Sequence, residues 1–274
     1  MVFVRPRMTF LLLAGSLLLA ACSGPTTPVD SRPQPDVTST QPRTHTDVTR
    51  TQAAATQAKK AVVVVLDAGH NGGNASQPAE INRQVPAGRG QTKPCNTTGT
   101  STNAGYTEHE FTFDVTRRVG QALAAKGFKV VYTRTDDNGV GPCVDKRAQI
   151  GNDANADAVV SIHADGSNSA GAQGFHVAYS SPPLNAAQRE PSMKLAKTLR
   201  DTLRTNGFHT ANYIGSDGLA PRDDLAGLNL STRPAALVEC GNMRDASEAA
   251  VMTSAEGRQR YAAAIAAAIE AYLA

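Results

Sequence analysis

Tryptophan is absent from the 274 residues, and seven phenylalanines and six tyrosines supply all the benzenoid rings. That leaves too little material for a carbohydrate-stacking module. A basic stripe is missing as well. Lys and Arg number 27 against 24 Asp and Glu, a net charge of +3, and the positive residues are scattered. Without a concentrated positive face the chain lacks the electrostatic footprint of a nucleic-acid binder. No apolar run spans a bilayer comfortably; the run from Phe10 to Leu19 is well short of the roughly 20 residues a crossing helix needs. There is no internal repeat.

What the N-terminus does contain is the pattern of an export signal. Arg5 and Arg7 form a positive flank, the run to Leu19 follows, and small residues close it. Leu19-Ala20-Ala21-Cys22-Ser23 resembles the bacterial lipobox, in which the cysteine is diacylated and becomes the new N-terminus. Two acyl chains anchor durably where one binds only marginally. The expectation is a membrane-anchored lipoprotein facing the cell wall or periplasmic space, with residues 1–22 as signal and Cys22 as lipidation site.

Export also bears on the other three cysteines, because disulfides persist outside the cytosol. Cys95 and Cys143 both lie in Gly/Pro/Thr-rich loop sequence, whereas Cys240 ends an apolar run. With Cys22 acylated, the expected bridge is Cys95–Cys143.

Residues 23–58 are rich in Pro, Thr, Ser, Gln and Asp and hold hardly a large apolar side chain. Such a segment cannot bury enough surface to offset its ordering entropy, so a disordered tether is expected. Residues 59–274 then form a single catalytic domain. Ala61 to Leu66 is a β-branched run suited to a strand buried on both faces. A long Gly/Asn/Thr-rich loop comes next. Phe111, Val115, Val119 and Ala122 recur at helical spacing between Glu108 and Lys126, and Gly127 ends the pattern. Further strands are expected at Phe128–Thr133, Ala158–Ile162 and Ala235–Glu239, and further helices at Val144–Asn155, Asn185–Asn206 and Ala255–Leu273. Alternation of this kind implies an α/β fold, a mostly parallel twisted sheet with helices on both faces.

In open α/β sheets, ligands bind beyond the carboxyl ends of the strands. Three expected strands run out into Asp67-Ala68-Gly69-His70, Ser161-Ile162-His163-Ala164-Asp165 and Leu237-Val238-Glu239-Cys240-Gly241. Two imidazoles and a carboxylate so placed favour a site. A catalytic zinc takes three protein ligands and keeps one position open. Glu108 and Glu110 compete for the third. Thr107 and Glu110 fit a capping box, which makes Glu110 structural. Glu108 precedes Phe111, Val115 and Val119 by three, seven and eleven residues, on the buried stripe, where an unpartnered carboxylate would be costly. His109 stays a competitor at the border of that stripe. His176, in the extended Gly174-Phe175-His176-Val177, is placed to line the groove.

His70 after Asp67-Ala68-Gly69, Glu108 at a helix start, His163 in Ser-Ile-His-Ala-Asp and Glu239 in Leu-Val-Glu-Cys-Gly-Asn together resemble the zinc-dependent N-acetylmuramoyl-L-alanine amidases of type 3. The likeness extends over the folded domain and is strongest to the compact mycobacterial members, through Arg83-Gln84-Val85-Pro86, the two loop cysteines and Asp224-Leu225-Ala226-Gly227-Leu228-Asn229-Leu230. It implies one Zn2+ held by His70, Glu108 and His163, Glu239 as catalytic carboxylate, and peptidoglycan or its muropeptide fragments as substrate, with no nucleic acid and a monomeric chain. Cys240 departs from the family, which has an apolar residue there, and raises a thiol hydrolase using Cys240 and His163. Glu239 has a structural alternative as salt-bridge partner of Arg222. Two other functions stay open: a zinc metallopeptidase cutting within the stem peptide, and a wall-binding lipoprotein that keeps the fold but not the chemistry, against which the intact set of His70, Glu108, His163 and Glu239 argues.

Overall fold

The structure is a computed structural model that describes residues 60–274. The signal segment, Cys22 and the tether of residues 23–58 lie outside the described residues. In chain order the elements are β1 (Val63–Ala68), α1 (Pro78–Ile81), a hairpin of β2 (Gln84–Gly88) and β3 (Gln91–Pro94), α2 (Glu108–Ala125), β4 (Lys129–Tyr132), α3 (Val144–Asp153), β5 (Ala158–Asp165) and β6 (His176–Ser180). They continue with α4 (Glu190–Thr205), β7 (Leu219–Arg222), α5 (Ala226–Asn229), β8 (Ala235–Asn242), α6 (Ala246–Thr253) and α7 (Ala255–Leu273).

Six strands form one sheet in the order β4-β1-β5-β8-β6-β7. All neighbours run parallel except β6 and β8. The sheet is therefore mostly parallel, as the alternating pattern implies. On one face α2, α4 and α7 bury the larger core, built around Phe111, Val115, Leu199, Tyr261 and Ile265. On the other, α3 and α5 cover Val65, Val159, Ala178 and Leu237. No helix among the described residues is long and apolar enough to cross a membrane.

Helix α2 delivers a carboxylate to the rim of the sheet, and its limits are chemical. The Glu110 carboxylate accepts from the backbone N of Thr107 at 3.1 Å and from its hydroxyl at 2.6 Å, closing the first turn. Phe111, Val115, Val119 and Leu123 are fully buried, worth about 1.5–3 kcal/mol each. Gly127, at φ 85°, ends the helix in the left-handed region. The same stripe that docks α2 on the sheet carries Glu108 inward at its first position.

Two expectations change. Asn185 does not start α4; its carboxamide oxygen accepts from Gln188 N in a separate turn, and the helix begins at Glu190 with Pro191 in its first turn. Proline's preset φ and missing N–H suit that position. The long loop after β1 is also more structured than its composition implies. It holds a 3-10 turn (Asn74–Ser76), α1 and the β2–β3 hairpin, and the Cys95–Cys143 disulfide ties its far end to the start of α3.

Candidate active site

Parallel strands β1, β5 and β8 end side by side, so the residues at their carboxyl ends converge. His163 and Glu239 are direct neighbours across the β5–β8 ladder. His70 stands two residues beyond β1, at φ 58°, and α2 brings in Glu108 from the sheet's side. Glu108 is buried and faces both imidazoles with one oxygen: Oε1 lies 3.1 Å from His70 Nε2 and 2.9 Å from His163 Nδ1. Its other oxygen accepts from Thr100 N at 2.9 Å, which fixes the carboxylate plane. His70 Nδ1 lies 2.9 Å from the Thr97 carbonyl oxygen. That oxygen can only accept, so Nδ1 carries the hydrogen and Nε2 of a neutral ring presents its lone pair to the site.

Electrostatics agree with this geometry. Burial alone would raise the Glu108 pKa, but the two imidazoles hold it below the usual carboxylate range. Burial disfavours charge on His70, and Glu108 overrides it, so the His70 pKa is raised. Close approach is permitted by glycine at two points. A side chain on Gly69 would overlap the His163 ring, and a Cβ on Gly99, at φ 79°, would lie 2.8 Å from Glu108 Oε2 and 2.9 Å from His70 Cδ2.

Beneath His70, two buried arginines clamp the turn that carries it. Arg147 donates to Asp67 Oδ1 at 2.8 Å and to the His70 carbonyl at 2.8 Å. Arg134 donates to the carbonyls of Ala68 at 3.0 Å, Gly69 at 3.1 Å and His109 at 2.9 Å. Asp67 also accepts from Thr133 and Ser161, each at 2.6 Å. Burial would push Asp67 up, yet Arg147 and these two hydroxyls hold its pKa at about 2.

Glu239 differs from every other carboxylate here. Its Oε2 is buried and has no hydrogen-bond partner. Burial, then the charges of Glu108 and Asp165, push its pKa well above the ordinary carboxylate value. Arg222 is not its partner, since it forms a fork with Asp224 at 2.7 and 2.6 Å. The neighbouring thiol of Cys240 is 1 % exposed, and burial followed by the Glu239 and Glu108 charges raises its pKa. A thiol held neutral and out of reach is no nucleophile.

The cluster opens into a cavity of about 330 Å³ that also reaches Lys93, Asn96, Val144, Leu225 and Leu237, running beneath the β2–β3 hairpin between α3 and α5. Comparison with known proteins places this architecture. Residues 64–271 match the family described as N-acetylmuramoyl-L-alanine amidase, Amidase_3. An N-acetylmuramoyl-L-alanine amidase of Mycobacterium tuberculosis is 52 % identical over 223 residues, covering 81 % of this chain and 91 % of that protein. Among solved structures, the amidase Ami1 of Mycobacterium smegmatis superposes with a TM-score of 0.75 at 53 % identity, over 77 % of this chain and 96 % of that one. The apo Ami1 of Mycobacterium abscessus gives 0.75 at 55 %, over 78 % and 99 %. The chain belongs to the N-acetylmuramoyl-L-alanine amidase family.

The amidase is thus a hydrolase of the bond that joins the stem peptide to N-acetylmuramic acid in peptidoglycan. Its structure brings His70, Glu108, His163 and Glu239 to one rim. It takes His109 elsewhere: Nδ1 lies 2.7 Å from Asp137 Oδ2, and the ring is not part of the His70–Glu108–His163 group. Nor does His176 line the groove. It is 1 % exposed, lies opposite Glu239 on β6, and is kept neutral by burial, which lowers its pKa to about 4. Sequence reasoning passed over Asp67, Arg134 and Arg147. One signal was available for Arg147, which shares a helix face with Val144, Ala148 and Gly151 and so had to point inward.

Proposed function

We propose that the amidase is zinc-dependent, with one ion held by His70, Glu108 and His163 and with Glu239 moving the proton. The observation that carries the reading is the convergence of one nitrogen from each imidazole and a carboxylate oxygen within 4.8 Å of one another. Two histidines and one glutamate with an open fourth position are a standard catalytic zinc set. The Thr97 carbonyl and Thr100 N–H orient the outer sides of His70 and Glu108, as second partners of metal ligands do. When bound, zinc lowers the pKa of water and polarises the lactyl carbonyl.

The chain's own residues supply the rest. Glu239, with an unengaged buried oxygen, accepts the proton of the attacking water and returns it to the departing L-alanine nitrogen. A carboxyl whose pKa is raised by burial and by neighbouring acids is suited to both halves of that exchange. The test is digestion of purified peptidoglycan, with chelator and with zinc restored. Free N-acetylmuramic acid residues and L-alanine N-termini are the expected new ends, abolished by chelation and recovered with zinc. New ends within the stem peptide, or full activity in chelator, would overturn the reading.

The domain plan rests on composition: a signal over residues 1–22, a tether over 23–58 and a catalytic domain over 59–274, acting as a monomer. The lipobox-like Leu19–Cys22 supports a lipid anchor at Cys22, on the wall-facing side of the membrane. A mature N-terminus found unacylated by mass spectrometry would remove the anchor.

A further inference from the structure

The cavity that holds the catalytic cluster has a different chemistry at its other end. Along β8, Glu239, Leu237 and Ala235 project from one face of the sheet, because side chains alternate. The neighbouring column on β5 is His163, Ser161 and Val159, each paired with its counterpart. The rows run from His163–Glu239 through Ser161–Leu237 to Val159–Ala235, about 7 Å apart. All of these residues line the cavity, and Val144, Ala148 and Leu225 face it from α3 and from the start of α5. Leu237 and Val159 are 9 % and 8 % exposed, the two largest values among the buried apolar side chains described. Strand residues that face α2, α4 and α7, such as Ile162 and Val238, are wholly buried. The short helices α3 and α5 thus leave apolar sheet surface open to the cavity. The acids of the lining lie higher. Glu108 and Asp165 stand at or beyond the His163 row, and Asp67, beside Ser161, is spent on Arg147, Thr133 and Ser161 itself.

Position relative to Glu239 selects the occupant. Glu239 returns the proton to the departing nitrogen, and the α-carbon bonded to that nitrogen lies next to it. The side chain on that carbon has the Leu237 row within reach. A glycan strand or a stem peptide continues past the cut and needs an open groove, whereas a side chain needs only a recess. We propose that the apolar end of the cavity is a side-chain subsite for the first residue of the stem peptide, and that it accepts aliphatic side chains larger than the methyl of L-alanine. The inference rests on Glu239 acting at the departing nitrogen, and it adds a specificity to that reading. A methyl group reaches only the mouth of the recess. A leucine side chain buries further carbons against Leu237, Val159 and Leu225, and each such burial is favourable.

Two substrates that differ only in this side chain test it: N-acetylmuramoyl-L-alanyl-D-isoglutamine and its L-leucyl analogue, given to the zinc-loaded full chain. Their charges are the same, so apolar contact alone separates them. The leucyl substrate is expected to be cut with about 10-fold higher kcat/KM, the lower end of what an added methylene contributes in an apolar pocket. Ala148→Leu fills the recess and is expected to lower the leucyl-to-alanyl ratio about fivefold or more. Leu225→Ala widens it and raises the ratio of a phenylalanyl analogue to the alanyl substrate. Zinc content and Tm report that each variant is folded, and a ratio of two substrates does not depend on the amount of active enzyme. A leucyl substrate cut more slowly than the alanyl one by the wild type overturns the assignment. So does a ratio left unmoved in either folded variant. The released dipeptides, L-leucyl- and L-alanyl-D-isoglutamine, titrated by NMR into the same proteins, read the recess with no bond cut. The leucyl dipeptide binds the wild type more tightly and loses that advantage in Ala148→Leu; equal binding of the two by the wild type overturns the subsite. A Glu239→Gln enzyme at wild-type rate that still prefers the leucyl dipeptide removes the proton reading and leaves the recess standing.

Discussion

Glu108 and Glu239 are carboxylates lining the same cavity as His70 and His163, yet their surroundings push them in opposite directions. Glu108 has both oxygens engaged and is held ionised by the imidazoles; Glu239 has an oxygen with no partner, and burial and the neighbouring acids raise its pKa. Different partners give them different work. Glu108→Ala is expected to lose zinc and activity together. Glu239→Gln is expected to keep zinc and fold while kcat drops by about 100- to 10,000-fold, the usual contribution of a general acid–base group. Zinc content and peptide release measured side by side check both; a Glu239→Gln enzyme at wild-type rate removes Glu239 from the mechanism. Arg147 acts one layer further out, through the carbonyl of His70 and the carboxylate of Asp67. Arg147→Met is expected to weaken zinc binding about 10- to 100-fold, as loss of an outer partner of a metal ligand does. Competition with a chelator of known affinity measures it, and an unchanged zinc affinity would show that the clamp serves stability alone.

Among the elements, α2 was legible from sequence because cap, stripe and stop signals agree over 18 residues. Strands β1, β5 and β8 were legible as apolar runs, though the last two continue three residues further, through the site residues themselves. The hairpin β2–β3 was not, since Pro86, Gly88, Gly90 and Pro94 read as loop. It depends on tertiary support, and the Cys95–Cys143 bridge supplies part of it, closing a separation of 48 residues. Chain-entropy arguments give such a loop about 4 kcal/mol. Replacing both cysteines by alanine is expected to lower the Tm by about 10 °C for a domain of this size and to leave one zinc bound. Calorimetry with metal analysis decides, and a Tm within a degree of wild type would mean the hairpin holds itself. Helix α6 escaped notice because its alanine-rich sequence runs on towards α7; only Ser254, accepting from Gly257 N at 2.9 Å, divides the two.

At the scale of the whole molecule, the acid limit of stability traces to the same buried network. Asp67 is held at about 2 in the folded chain, against an ordinary value near 3.8. A depressed folded-state pKa contributes stability above the unfolded value and loses it as pH falls through the folded one. The contribution is about 2 kcal/mol, complete above about pH 5 and gone near pH 2. Asp67→Asn is expected to flatten the dependence of unfolding free energy on pH across that window, measured by denaturant titration at stepped pH. A slope equal to that of the wild type would place the acid sensitivity in other carboxylates.

The sequence by itself determined the order and type of the main elements, the three strand ends that carry the site, the inward face of Glu108 and the pairing of Cys95 with Cys143. Each of those comes from local periodicity, capping chemistry or the loop context of a residue, all of which are written within a few positions of the chain. Tertiary structure decided what depends on distant partners. His163 and Glu108 are 55 residues apart and meet at 2.9 Å; Arg147 reaches Asp67 across 80. Antiparallel β6 enters between β8 and β7, and with it His176 is buried behind Glu239 rather than lining the groove. No local pattern encodes such contacts, because they arise only when strand order and helix docking bring separate segments within hydrogen-bonding distance.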